Sequence, residues 1–348
     1  MINNQKSGDG STNIQSENVT INHINNSVVL CSIEETAKKL LSSVFGELPE
    51  ETKKLISINQ QSYFQVLSDS LSKIIKQNDD LKKAINDPDF QFVSKIASIS
   101  ASRSSSTELH KNLSSLVIQR INNSDADLRR IVYNEAISTI GKLTSDQLKI
   151  ITLCFLLIYT NHNIRSWETF KNYLTQRIEP FLDFKDTNAE FLHIEYTGCG
   201  SIMISSSDIL EIYKQNYSCL FLKLVEKQKI DNLNLDTSVK QSLLFLDQKE
   251  QKYLIKPLNK IDLETFLKEK NVDEETSKKL TSIYEYHIKN NEEIKDEIME
   301  VNEGKKLIEI WEKSKIKHLS LTSVGIAIAA NYFEQVTGEK IDISIWIN

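Results

Sequence analysis

The chain lacks the marks of most chemistries that can be read from residue spacing. Its four cysteines, Cys31, Cys154, Cys199 and Cys219, have no C-x-x-C spacing and no histidine cluster beside them, which argues against a disulfide framework or a zinc site. The six histidines are isolated, with no H-E-x-x-H, and the nine glycines form neither the phosphate loop G-x-x-x-x-G-K-S/T nor a dinucleotide fingerprint. No cofactor is therefore expected. The most apolar run, Leu148 to Tyr159, stops well short of the roughly 20 residues needed to cross a bilayer, so it reads as a buried helix and no membrane association is expected. Met1 to Ser16 has no apolar core. No signal peptide is expected, the compartment reads as cytosolic, and the Asn-x-Ser/Thr sites at Asn18, Asn25, Asn112, Asn122 and Asn216 are chemically idle there.

A dominant positive charge is missing too. The net charge is -6 within an ordinary 26% of charged residues, so nothing draws the whole chain to nucleic acid or to an anionic membrane, and any polyanion site must be local. Only six of the basic residues are arginines, and all lie between Arg103 and Arg177. The excess of lysine, with abundant Asn and Ile, suggests coding from an AT-rich bacterial genome. What is present is material for a folded protein: 348 residues, 40% of them apolar, suffice for two or three domains with a real core.

The first thirty residues differ from the rest. Ile14, Val19 and Ile21 are the strong apolar residues between Ile2 and Ile24, set among Asn, Ser, Thr and Gly that favour turns or strands. As strands, such pieces need neighbours to satisfy their backbone groups, which makes Ile14, Val19 and Ile21 candidate assembly residues and a second copy of this chain the expected partner. The alternative is a disordered tail.

Further on, Ser32 with Glu34 and Glu35 has the form of a capped helix start before Ala37, Leu40, Leu41, Val44 and Phe45. A helical stripe then runs from Leu55 to Ile75, Pro88 interrupts the next segment, and the serine-rich run Ser98 to Thr107 reads as a loop. Leu109 to Ile121, Leu128 to Ile140, Leu148 to Tyr159 after the Thr144-Ser145-Asp146-Gln147 cap, and Trp167 to Ile178 before Pro180 read as helices. Phe191 to Tyr196 and Ser201 to Ile204, joined by Thr197-Gly198-Cys199-Gly200, read as a β-hairpin. Asp208 to Val225 reads as helix, and Glu226 to Gly304 as a charged series of short helices whose surface is a solvated face. A strand at Lys317 to Leu321, a helix capped by Thr322 and running to Gly338, and a terminal strand at Ile341 to Ile347 complete the chain. Trp311 and Trp346 read as core residues. The expected fold is mainly α, α+β overall: an oligomerisation leader over 1–31, an all-α domain over 32–182 and a mixed, mostly helical domain over 183–348.

Five stretches, Gly8-Asp9-Gly10-Ser11-Thr12-Asn13-Ile14-Gln15, Asp87-Pro88-Asp89-Phe90-Gln91, Leu143-Thr144-Ser145-Asp146-Gln147-Leu148, Leu321-Thr322-Ser323-Val324-Gly325 and Ser344-Ile345-Trp346-Ile347, give the chain its resemblance to a family of uncharacterised bacterial proteins. The resemblance spans nearly the whole chain and implies a shared architecture but no activity. The first stretch is also similar to short leaders of various bacterial proteins, some acting in defence against phage.

Two local constellations point to chemistry. Leu148 to Tyr159, the Asn161-His162-Asn163 turn, Arg165 to Arg177 and the expected hairpin follow the order of a winged helix, with Arg165, Lys171, Asn172 and Arg177 available for phosphates or base edges. Leu321-Thr322-x-x-Gly325 after a strand has a form that often leaves the wing, but no arginine follows Arg177. Asp183, Asp186, Glu190 and His193, with Glu195 nearby, are types that hold a metal for phosphodiester cleavage, although no lysine stands at the spacing restriction-type nucleases use. Cys199 between two glycines is a nucleophile only with a base beside it. The function expected first is a noncatalytic homo-oligomeric sensor or scaffold of the bacterial cytosol, in phage defence or stress signalling, with an unidentified protein partner; the alternatives are a nucleic-acid binder and a metal-dependent nuclease or other defence effector.

Overall fold

A computed structural model of the chain describes residues 48–74, 87–123, 127–233 and 235–347. The leader, with Ile14, Val19 and Ile21, and the helix expected after Ser32 lie outside these residues. The described chain is mainly helical with a few short antiparallel strands, an α+β protein dominated by α. The described residues divide into two compact units, one within 48–142 together with 342–347, the other within 143–341.

Among the described residues, the first unit packs four helices, α1 (Glu50–Ile74), α2 (Pro88–Ser102), α3 (Thr107–Asn122) and α4 (Asp127–Ile140). Tyr63 and Leu67 of α1, Phe90, Val93 and Ala97 of α2, Leu113 and Val117 of α3 and Ala136 and Ile137 of α4 are buried at helical spacing. Pro88 does not break a helix; it starts α2 at the first helical position, where its missing N–H would have had no partner anyway. Asp87 caps that helix through the Asp89 N–H, 3.0 Å away, and its other oxygen, with an oxygen of Asp89, receives the fully buried Arg120 at 2.8 and 3.0 Å. Arg120 Nε also donates to Asn134 Oδ1 at 2.8 Å. The Asp87-Pro88-Asp89-Phe90 stretch thus ties the start of α2 to α3 and α4.

The serine run is a loop only over its second part. Ser98 and Ser102 are buried in α2, and their hydroxyls donate to the carbonyls of Ser94 and Ser98, the back-bonding that lets serine stay within a helix. The terminal Ile341–Ile347 segment is no strand. The Asp342 carboxylate accepts from Ser344 N–H at 2.9 Å, and the N–H groups of Trp346 and Ile347 return to Ile343 O, so the backbone turns instead of extending. Trp346 is half-buried.

The second unit centres on α5 (Ser145–Cys154) packed on the last helix, α15 (Ser323–Thr337). Thr144 and Gln147 close a reciprocal capping box at the start of α5, as expected from sequence. Past Cys154 the helix widens into a π turn, Phe155–Tyr159. The next helix, α6 (Trp167–Tyr173), does the same over Leu174–Ile178 before a 3-10 turn at Glu179–Phe181.

The hairpin expected at 191–204 is not formed. Phe191 to Tyr196 belongs to α7 (Asn188–Tyr196), with Phe191 and Ile194 buried three residues apart. Gly198, at φ 76, terminates that helix: Cys199 N–H returns to Ile194 O and Gly198 N–H to Glu195 O, the double bond of a left-handed helix end. The strand that follows, β1 (Gly200–Ile202), pairs instead with the distant β5 (Leu319–Leu321), Gly200 opposite Leu321. The same loop abuts the start of α15, where Thr322 caps Gly325 N–H and donates to Gly198 O at 2.6 Å. A Cβ on Gly325 would lie 1.9 Å from the Cys199 carbonyl oxygen, so the Leu321-Thr322-x-x-Gly325 stretch is a close backbone crossing.

Between these, α8 (Ile209–Asn216) leads through a 3-10 turn, Ser218–Phe221, to β2 (Val225–Glu226), α9 (Lys227–Asp231) and α10 (Thr237–Leu243). The series expected to be all helical contains a three-stranded antiparallel sheet, β2 with β4 (Lys252–Ile255) and β4 with β3 (Leu244–Asp247). Its apolar face packs on α11 (Lys260–Glu269) and α12 (Glu274–Tyr286) through Leu244, Ile255, Leu263, Leu267, Leu280 and Tyr284. The remaining helices are α13 (Asn291–Met299) and α14 (Asn302–Lys313), with Trp311 of α14 buried and its indole N–H on Ser207 O.

Candidate ligand pocket around His162 and Arg177

The two π turns matter for where they leave their residues. A π turn adds a residue to a helical turn, displaces the side chains that follow, and is found often at functional sites. Here the first π turn ends at Tyr159, and the loop after it carries Thr160, His162 and Asn163; the second contains Gln176 and Arg177. His162, Asn163, Gln176 and Arg177, together with Asn172 of α6 and Glu339, just past the end of α15, line a pocket of about 300 Å³.

Its hydrogen bonds run in one direction. The Arg177 guanidinium can only donate, and it places Nη1 2.8 Å from His162 Nδ1. That nitrogen must be the unprotonated one, so the ring proton sits on Nε2, 3.2 Å from Thr160 Oγ1. The Thr160 hydroxyl in turn donates to Leu156 O at 2.6 Å, a carbonyl of the first π turn. Burial, with the positive Arg177 beside it, pulls the His162 pKa down to about 4. His162 is thus a neutral acceptor at physiological pH, oriented from both sides. Its backbone N–H donates to Tyr217 OH at 3.1 Å, and its ring packs on Tyr173, 5.0 Å between centroids. Behind the pocket Tyr173, Tyr213 and Tyr217 meet Phe170; burial drives the phenols of Tyr173 and Tyr213 well above the ordinary range and pushes Tyr217 up to about 12. This wall is fixed and uncharged.

Among the described residues, Arg177 makes one ion pair, Nη2 to Glu339 Oε2 at 2.6 Å, with about a third of Arg177 and nearly half of Glu339 exposed. Exposed pairs of this kind contribute at most about 1 kcal/mol. The Glu339 carboxylate also follows the C-terminus of α15, capped by Gly338 at φ 75, where the helix dipole disfavours negative charge. The side chains of Asn172 and Gln176 are exposed beside it.

A second recess of about 280 Å³ lies beyond the same loop, lined by Arg165, Lys256, Asp262 and Phe266. Arg165 donates to Asn163 Oδ1 at 2.7 Å and lies 3.7 Å from Asp262 Oδ2. The Cys219 thiol, half-buried nearby, is pushed up to about 11 by burial, partly offset by Arg165, which makes it a poor nucleophile at neutral pH.

Of the residues singled out for nucleic acid, Arg177 and Asn172 share the first pocket and Arg165 lines the second, while Lys171 is exposed on α6 and lines neither. The hairpin of the winged-helix order is absent, because α7 occupies its first strand. The residues proposed for a metal make separate contacts. Asp186 accepts from Ser314 Oγ, Glu190 from Thr144 Oγ1, His193 Nδ1 meets Gln147 Oε1, and Asp183 is exposed. Among the described residues, no three His, Cys, Asp or Glu side chains come together as a metal site. Cys199 is buried, its carbonyl oxygen against the start of α15. Among the described residues, no helix is long and apolar enough to cross a membrane.

Sequence reasoning did not reach His162 or Glu339 as residues of this pocket. Their roles exist only through tertiary contact, and the π turns leave no spacing that periodicity can detect.

A family model matches residues 30–347, and the chain belongs to that family, an uncharacterised one. The match begins after Ile14, Val19 and Ile21. No curated protein and no solved structure matches the chain.

Proposed function

We propose that this member of the family is a noncatalytic, homo-oligomeric sensor or scaffold of the bacterial cytosol, whose second unit holds a small polar ligand in the His162–Arg177 pocket. The observation that carries this reading is Arg177 itself, a guanidinium on the wall of a pocket, aimed by a neutral imidazole and held by a single half-exposed carboxylate. That arrangement favours recognition over proton transfer, because His162 has its basic nitrogen already occupied and a pKa of about 4. The leader would supply assembly through Ile14, Val19 and Ile21, outside the stretch that defines the family. Its likeness to leaders of anti-phage proteins makes defence or stress signalling the setting to test.

Two measurements examine the two halves. A thermal-shift screen of small polar metabolites on the wild type and Arg177→Gln should find ligands that raise the melting temperature of the wild type alone. Ligands that stabilise both proteins equally bind elsewhere and remove the pocket from the account. Size-exclusion light scattering of the full chain, read at two absorbance wavelengths, should give a particle larger than that of the Ile14→Asp, Val19→Asp, Ile21→Asp variant and free of nucleic acid. Equal masses would end the assembly role of the leader, and co-purifying nucleic acid would favour a nucleic-acid binder.

A further inference from the structure

We propose that the ligand of this pocket is a small anion, bearing a carboxylate or a phosphate, that takes the place of the Glu339 carboxylate on Arg177. The inference rests on the reading of the pocket as a ligand site and goes beyond it by naming the chemistry. Glu339 acts as a built-in substitute for that ligand: it sets one carboxylate oxygen 2.6 Å from Arg177 Nη2, at the pocket wall.

Three features make this carboxylate replaceable. It is nearly half exposed, so water already competes for it. It sits past the C-terminal end of the 15-residue α15, where the helix dipole opposes its charge. It also follows the Gly338 cap at φ 75, with its backbone N–H held by Thr337 Oγ1 at 3.2 Å, so the carboxylate can leave by a turn of the Glu339 side chain alone, with the helix end kept. The guanidinium, in contrast, is held in place. Its Nη1 is anchored on His162, which is itself fixed by Thr160 and Tyr217, so Nη2 keeps its aim after Glu339 leaves. An incoming anion gains what Glu339 lacks, the amide N–H groups of Asn172 and Gln176, which among the described residues donate to nothing else in the chain. His162 stays neutral in this exchange and adds no charge of its own. The binding change is thus one anion for another on an immobile guanidinium, with Glu339 as an internal competitor.

The competition sets the test. Inorganic phosphate, acetate and acetamide are titrated calorimetrically into the full-length wild type, Glu339→Gln, Arg177→Gln and Arg177→Lys, with circular dichroism confirming that each is folded. Glu339→Gln should bind phosphate or acetate about fivefold more tightly than the wild type, a gain of about 1 kcal/mol, the most that the exposed pair is worth. Arg177→Gln should bind neither. Arg177→Lys keeps the charge but loses the planar fork and the His162 contact, and should bind more weakly than the wild type. A preference for phosphate assigns a phosphate ester, and a preference for acetate assigns a carboxylate ligand. Anion affinities that are the same in Glu339→Gln and the wild type, or that survive in Arg177→Gln, overturn the proposal. If Glu339→Gln takes up acetamide but neither anion, the anion assignment falls while the pocket remains a ligand site; if it takes up none of the three, both fall.

Discussion

Arg120 in the first unit and Arg177 in the second carry the same guanidinium into opposite settings. Arg120 is fully buried, receives the carboxylates of Asp87 and Asp89 and the amide oxygen of Asn134, and lies 6.0 Å from the Phe90 ring centroid. Arg177 is about one-third exposed, gives one hydrogen bond to a neutral imidazole and one to a half-exposed carboxylate, and faces a pocket. The first has its ion pairs supplied by its own fold, at the helix start where α2 meets α3 and α4. The second is held firmly on one side and loosely on the other. A charge taken out of water is tolerable only when it is paired, so Arg120 is an architectural group; a charge left at a pocket wall with a replaceable partner is available for recognition.

Substitutions should separate the two. The largest effect is expected from Arg120→Ala, which removes a fully buried side chain and the donor shared by Asp87, Asp89 and the Asn134 amide oxygen. A loss of about 3–5 kcal/mol, read by urea denaturation, would fit, whereas a loss below about 1 kcal/mol would show that the network contributes little. Next comes Gly325→Ala, whose Cβ would meet the Cys199 carbonyl oxygen at 1.9 Å. Because the obstacle is backbone, the crossing of loop and helix must open, at about 1–3 kcal/mol, and a variant as stable as the wild type would contradict the close approach. Thr322→Ala removes the cap of α15 and the bond to Gly198 O, with about 1 kcal/mol expected and faster amide exchange in the first turn of α15 as its signature.

The His162 environment gives a pH dependence of known sign. Its folded pKa, about 4, lies below the ordinary value of 6.5, so between these values the unfolded chain binds more protons than the folded one. The contribution of neutral His162 to stability is full above pH 6.5 and is lost as pH falls through about 4. Comparing pH 7 with pH 4.5, His162→Gln should destabilise less on acidification than the wild type. Identical pH profiles would mean that His162 is not held neutral by its surroundings. The smallest effect should come from Glu339→Gln, under about 1 kcal/mol, even though it is the variant expected to raise anion affinity.

How much of this was legible in the sequence depended on whether the signal was local. The helix ends at Thr144, with its Gln147 box, and at Thr322 were readable because the capping residues sit within four positions of the groups they satisfy. The Phe191 to Tyr196 segment was misread as a strand because a short apolar run cannot be assigned by periodicity. Gly198, taken there as a hairpin turn, has the left-handed backbone that a helix end also requires. The β3–β4 hairpin went unseen for the converse reason: its turn places Gln251, not glycine or asparagine, at positive φ 55, so the usual turn residues are missing. Three of the stretches behind the family resemblance now have physical roles: a clamp on Arg120, a capping box and a backbone crossing. Around the two recesses, Arg165, Asn172 and Arg177 could be picked out as polar residues on a helix and its preceding loop. Glu339 could not, since only the fold brings the end of α15 beside Arg177.

The most direct test of the contrast between the two arginines is a side-by-side urea denaturation of Arg120→Gln and Arg177→Gln, followed by circular dichroism in one buffer. The account predicts that Arg120→Gln shifts its unfolding transition by several kcal/mol and Arg177→Gln by less than about 1 kcal/mol. A loss in Arg177→Gln as large as that in Arg120→Gln would contradict it, because Arg177 would then be another architectural charge and not a group kept for a ligand.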